Sequence, residues 1–198
     1  MDDVRNYYSR VSEEYARNQS FREMPDAAEE DLKNLLDTFL NSIDGERVLD
    51  AGCGPGRDTE YMKSRGYDAV GVDSAEGMIE TASEHGDADY SHMDIRNLDF
   101  ADSSFSGVWC NTVMQFLDSE GKRKAISEIS RVVEKDGVLY STFKLGSGKT
   151  ERDDGLERYL EDRDEILRLL RKARLEPKDQ WTFQLNGMDV LGVFCRRR

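Results

Sequence analysis

Apolar positions along the chain change period several times, and each change marks an element. Residues 1–20 carry Tyr7, Tyr8, Val11 and Tyr15 at helical spacing. Residues 25–43 carry Ala28, Leu32, Leu35, Leu36, Phe39 and Leu40 along one helical face, with Pro25 placed to start the helix and Asp44-Gly45 to stop it. Short apolar runs of strand length then recur, at Val48-Leu49, 69–72, 88–93, 105–110 and 138–143. Helical stretches separate them. One runs through Tyr61 and Met62 to Arg65 and closes at Gly66, another spans 75–84, and a third spans 119–134 with Ala125, Ile126, Ile129 and Val133 inward. Such alternation predicts an α/β fold, a doubly wound and mostly parallel sheet with helices on both faces. Asp162 and Glu165 form a capping box that opens one more helix, with Ile166, Leu169 and Leu170 as its buried stripe. Two last strands, 178–185 and 190–196, meet at Asn186-Gly187, a strong hairpin signal. The count is seven strands in a single domain, 1–198, read as a helical cap over 1–44 and a core over 45–198. No repeat or linker asks for a second domain.

The most informative stretch is Arg47-Val-Leu-Asp50-Ala51-Gly52-Cys53-Gly54-Pro55-Gly56-Arg57. It reads as a buried strand, a glycine turn and a helix start, the ligand-binding turn of a doubly wound sheet. Gly52 and Gly54 let backbone lie against a ligand with no Cβ between them. A dinucleotide fingerprint would be G-x-G-x-x-G, with a pyrophosphate on the helix N-terminus. Here Arg57 stands where the third glycine belongs, and Asp50 closes the strand. A carboxylate there repels a pyrophosphate and suits a ligand with a cationic end. The second strand ends in Asp73, where this fold places an acid on the ribose hydroxyls; a carboxylate can accept from two O–H donors at once. The alternative for Asp73 or Ser74 is a helix N-cap.

The segment Asp50-Ala-Gly-Cys-Gly-Pro-Gly resembles the first motif of the class I S-adenosylmethionine-dependent methyltransferases, and Tyr8-Ser-Arg-Val-Ser-Glu-Glu-Tyr15 resembles the lead-in of many small-molecule members. The run from Glu128 to Gly137 and the terminal hairpin are similar to that family too, so the resemblance covers about residues 7 to 197. It implies a Rossmann-like fold, S-adenosylmethionine as cofactor, S-adenosylhomocysteine as product and a small-molecule acceptor. It also implies a binding set of Tyr15, Asp50, Ala51, Gly52, Cys53, Gly54, Asp73, Ser74, Met78, Asp94, Ile95 and Asn111. Within that set, Asp94 matches the acid that accepts from the adenine amino group, and the amide of Ile95 the one that reaches a ring nitrogen. The acceptor would meet Tyr7, Gln115 and Phe143. Many members carry a histidine before the helix that follows the fourth strand; here that segment offers Gln115 and Phe116, so no general base is assigned. A protein that keeps the fold and the cofactor without transferring methyl therefore stays open as an alternative.

Composition narrows the picture further. A net charge of −13 opposes a nucleic-acid partner, despite the Arg196-Arg197-Arg198 end. No apolar run has the length of a membrane span, and the opening residues do not read as a signal peptide. Three separated cysteines suit a reducing cytoplasm better than a disulfide framework, and with His85 and His92 they match no zinc spacing. Cys53 is expected to pack, and His92 to be satisfied at a sheet edge. Lys144-Leu-Gly-Ser-Gly-Lys-Thr150 imitates a phosphate loop, but Phe143 stands where its first glycine belongs and acids follow, so a mobile surface loop beside the acceptor site is expected. Oligomeric state is open.

Overall fold

The computed structural model describes residues 2–20 and 25–198, so residue 1 and residues 21–24 of the expected cap lie outside the described residues. Helices α1 (Asp2–Gln19) and α2 (Asp26–Leu40) precede an alternating core of β1 (Arg47–Ala51), α3 (Arg57–Ser64), β2 (Asp68–Asp73), α4 (Glu76–His85), β3 (Asp89–His92) and β4 (Phe105–Cys110). A 3₁₀ turn (Met114–Phe116) leads to α5 (Ser119–Val132) and β5 (Val133–Lys144). Then come β6 (Lys149–Glu151), β7 (Glu157–Tyr159), α6 (Arg163–Lys172), β8 (Leu175–Leu185) and β9 (Met188–Arg197). Seven strands form one sheet in the order β3-β2-β1-β4-β5-β9-β8. The first five run parallel, and β9 is antiparallel to both neighbours. The order reverses between β1 and β4, which makes the carboxyl ends of these strands the place for a ligand crevice.

Strand alternation sorts the core onto two faces. Val48, Ala69, Trp109 and Tyr140 pack with Leu36, Phe39 and Leu40 of α2 on one side. Their neighbours Leu49, Val70, Val108 and Leu139 face Ile126 and Ile129 of α5 and Leu170 of α6 on the other. The α2 side is an aromatic stack, with Trp109 4.1 Å from Tyr140 and 5.4 Å from Phe39. Ala28, expected on the buried face of α2, is exposed, and the packed stripe of that helix begins at Leu32. Caps follow the side-chain chemistry: Asp118 accepts from Gly121 N, and Asp162 from Asp164 N and Glu165 N.

Two expectations change. The helix read as 119–134 ends at Val132, and Val133 already pairs with Phe105 as the first residue of β5. Val133 is buried in either conformation, so a helical count takes it for the last inward position. The loop at 144–150 is not simply mobile surface, because Lys149–Glu151 pairs antiparallel with Glu157–Tyr159 in a small second sheet. That sheet places Arg152 and Arg158 beside the ends of the parallel strands.

The cap lies across those ends. Helix α1 packs on α4, and Gly77 N donates to Ser9 Oγ at 3.3 Å. A Cβ at Gly77 would sit 2.3 Å from the Ser9 carbonyl oxygen, so the two helices touch at this depth only over glycine.

Candidate functional site

A cavity of about 360 Å³ opens at the carboxyl ends of β1, β2 and β4, under α1. Its floor is set by hydrogen bonds between strands. Parallel pairing of Ala51 with Val72 brings the glycine turn level with the end of β2. Gly52 N and Cys53 N then donate to the Val72 carbonyl at 2.7 and 2.9 Å. Gly54 N donates to Asp73 Oδ2 at 3.0 Å, and Ala75 N to Asp73 Oδ1 at 2.8 Å. The Asp73 carboxylate is therefore fixed on the cavity wall, and each oxygen keeps acceptor capacity after its one N–H. Burial raises its pKa against the pull of those N–H groups. Above Gly54 the space is open: a Cβ there would meet nothing within 4 Å.

Of the residues expected to bind, Tyr15, Gly52, Gly54, Asp73, Ser74, Met78, Asp94, Ile95, Asn111 and Gln115 line this cavity. Asp50, Ala51, Cys53, Tyr7 and Phe143 do not line it. The turn curls back onto β2, which leaves glycine backbone on the ligand side and sends the flanking side chains into the protein. Ala51 belongs to the core, and the Cys53 side chain packs beside Gly71. Phe143 is core as well, and the wall at the end of β5 is its neighbour Lys144. Tyr8, not Tyr7, lines the cavity, because adjacent positions on a helix point about 100° apart. Tyr8 stands edge-on to Tyr15 and to Phe116, with centroids 5.4 and 5.6 Å away. Tyr7 instead lies beside Asp154, whose charge adds to burial in raising the tyrosine pKa.

Asp94 is held by two arginines. Arg96 donates to both carboxylate oxygens through Nε, at 2.9 and 3.0 Å, and Arg5 reaches in from α1. Burial raises the Asp94 pKa, but the Arg96 hydrogen bonds and both charges outweigh it and hold the group below the usual carboxylate range. Arg5 thus ties the cap to the end of β3. Asn111 accepts from Thr142 Oγ1 at 3.3 Å, and Thr112 N donates to that same hydroxyl at 2.7 Å, with Thr112 at φ 60°. Such a conformation is rare for a β-branched residue and marks a strained wall. Gln115 Nε2 donates to the Thr112 carbonyl at 2.7 Å, while its buried Oε1 has no partner among the described residues. Among the described residues no histidine lines the cavity. His92 is exposed, with Nε2 3.0 Å from the Ser74 carbonyl.

Beneath the floor Asp50 is only 2% exposed and accepts from Thr59 Oγ1 at 2.6 Å. Beside it Asp58 accepts from Arg57 Nε at 2.7 Å and Trp109 Nε1 at 3.0 Å. Burial first, and the Asp58 charge second, push the Asp50 carboxyl from the ordinary carboxylate range up to about 8. Between those values the folded protein binds more protons than the unfolded chain, so stability is lost as pH rises through the window. Asp50→Asn keeps an acceptor for Thr59 and removes the charge. The unliganded variant is expected to melt above the wild type at pH 8.5, with the gap narrowing toward pH 5. Equal melting temperatures at pH 8.5 would contradict the burial argument.

Several wall residues escape the sequence reading. Lys144 ends a parallel strand, a position that topology alone marks as a rim, yet the imitation phosphate loop hides it. Arg5, Arg152 and Arg158 arrive from the cap and the small sheet, and acids crowd their sequence neighbourhoods.

A family profile described as a methyltransferase domain matches residues 48–137. A malonyl-[acyl-carrier protein] O-methyltransferase of Erwinia pyrifoliae is 40% identical over 105 residues, which are 52% of this chain and 39% of that relative. The chain spans under half the length of the first curated relatives that it matches. Among solved structures, a magnesium protoporphyrin IX methyltransferase from Synechocystis with bound S-adenosylhomocysteine superposes with a TM-score of 0.76 at 16% identity, covering 100% of this chain and 99% of that one. The [4+2]-cyclase SpnF superposes with a TM-score of 0.70 at 20% identity, covering 86% and 81%. At these identities the structures establish a shared fold.

Proposed function

We propose that the chain is a class I S-adenosylmethionine-dependent methyltransferase, which transfers the methyl group of S-adenosylmethionine to a small-molecule acceptor and releases S-adenosylhomocysteine. The observation that carries the reading is the pairing of a bare glycine floor with a fixed carboxylate. Gly54 is open to the cavity, and beside it Asp73 keeps an acceptor on each oxygen for two ribose hydroxyls. Met78 and Ile95 offer apolar walls for the adenine, and Asp94 an acceptor for its amino group once Arg5 yields. Tyr15 presents an aromatic ring near the site of the cationic end.

When bound, the sulfonium supplies a methyl carbon already activated toward a nucleophile. What remains for the chain is alignment and exclusion of water, and alignment alone can supply roughly 7–11 kcal/mol of the barrier. A cavity with no histidine suits an acceptor that needs no proton removed by the protein. The relatives' printed activity, on a malonyl group, is of that kind: a carboxylate is anionic near neutral pH. The cap over the cavity and the net charge of −13 support a small acceptor over a nucleic acid.

A second reading, a cofactor-binding protein without methyl transfer, draws on the missing histidine and on a cyclase sharing the fold. Calorimetry with S-adenosylmethionine, S-adenosylhomocysteine and NAD separates the outcomes. Both adenosyl ligands are expected to bind and NAD to fail, followed by turnover of methyl donor on an acceptor panel. Binding of NAD alone would overturn the assignment, and tight cofactor binding without turnover on any acceptor would favour the second reading.

A further inference from the structure

The cavity has a second end. Asp73 closes β2, and Lys144 closes β5, three strand spacings across the sheet, or roughly 14 Å. A nucleoside lying on the tips of β1 to β3 leaves the β4–β5 end free. Three basic side chains line that end, Lys144, Arg152 and Arg158, in a chain whose net charge is −13.

Their charges are not equally matched. Arg152 pairs with Asp154 at 2.6 Å and donates to Tyr8 Oη at 2.9 Å. Lys144 and Arg158 have no carboxylate partner among the described residues. Lys144 is 4% exposed, and its ammonium donates to the Leu185 carbonyl at 2.9 Å, which leaves two donors unused. Among the described residues Arg158 Nη1 reaches the Met188 sulfur, at 3.5 Å and a weak acceptor, and its buried Nε has no partner. Burial first, and the Arg158 charge second, lower the Lys144 pKa to about 8. Nearby, Asp154 is engaged by Arg152 and the Leu156 amide, and Asp153 is exposed. Cations withdrawn from water without a counter-charge are costly, and a wall that gathers them is complementary to an anion.

We propose that the acceptor is an anion whose carboxylate or phosphate group is anchored between Lys144 and Arg158, with Arg152 behind them, at the β5 end of the cavity. This rests on the methyltransferase reading for what fills the β2 end.

The test is calorimetry on the protein saturated with S-adenosylhomocysteine, using sodium malonate, inorganic phosphate and neutral malonamide as probes. Malonate or phosphate is expected to bind saturably while malonamide does not. Arg158→Gln and Lys144→Met are each expected to weaken the anion at least tenfold, and Arg158→Lys to restore part of it. Affinity for S-adenosylhomocysteine should stay within twofold in all three variants, which also shows that they fold. Preference for malonate identifies a carboxylate acceptor, and preference for phosphate a phosphorylated one. Equal binding of malonamide, or anion affinity untouched in both charge-removing variants, would overturn the anchor. Should S-adenosylhomocysteine itself fail to bind, the cofactor reading falls, and the same titrations on the unliganded protein still decide the anchor.

Discussion

Asp73→Ala is expected to lose S-adenosylhomocysteine affinity by about a hundredfold. A hydrogen bond to a charged group contributes roughly 1.5–3 kcal/mol, and this carboxylate has room for two hydroxyl donors. Losing even about 2.8 kcal/mol is a hundredfold change in dissociation constant. The substitution also removes the acceptor that holds Gly54 N and Ala75 N, so the floor of the cavity loosens at the same time. Asp73→Asn separates the two effects: its remaining oxygen still accepts, and its loss should fall between wild type and alanine. Calorimetry reads the affinities, and thermal unfolding checks that both variants fold. If alanine kept affinity within threefold, Asp73 would have no place at the ribose.

Gly52→Ala is expected to damage both the fold and the site. Gly52 sits at φ 87°, where an L side chain is strained, and a Cβ there would lie 2.2 Å from Val113 Cγ2. Backbone strain of this kind costs about 1–3 kcal/mol, and forced overpacking a further 1–3. The variant should therefore melt well below wild type. Val113 lies on the cavity wall after β4, so any shift that makes room deforms the floor, and cofactor affinity should fall by about a hundredfold or more. Adding Val113→Ala removes the clashing methyl but leaves the φ penalty, so the double variant should recover part of the stability. Full recovery would mean that φ costs nothing here; no recovery would mean that the clash is not the cause.

Sequence and structure agree where the information is local. Val48-Leu49, Ala69–Val72 and Phe105–Cys110 are read as buried strands because both faces of a parallel sheet are covered, and each becomes a strand. The Asn186-Gly187 turn joins β8 to β9 as expected, since both residues accept positive φ. The ends of elements are less legible. Val133 is buried as helix or as strand, and nothing in its neighbourhood separates the two.

At the site, the residue types and their order along the chain are sequence properties: a glycine turn after the first strand, an acid after the second, another after the third. Those determine that a ligand crevice exists and that Asp73 and Asp94 reach it. Which neighbours turn toward the crevice is set by contacts between distant segments. Hydrogen bonds from Gly52 and Cys53 to Val72 roll the turn so that Asp50 and Cys53 sink beneath it. Register along β5 buries Phe143 and exposes Lys144 to the cavity, and pairing of β6 with β7 carries Arg152 and Arg158 to the same wall. Periodicity describes one segment at a time, whereas the charge of a cavity wall is a sum over segments that meet only once the chain has folded.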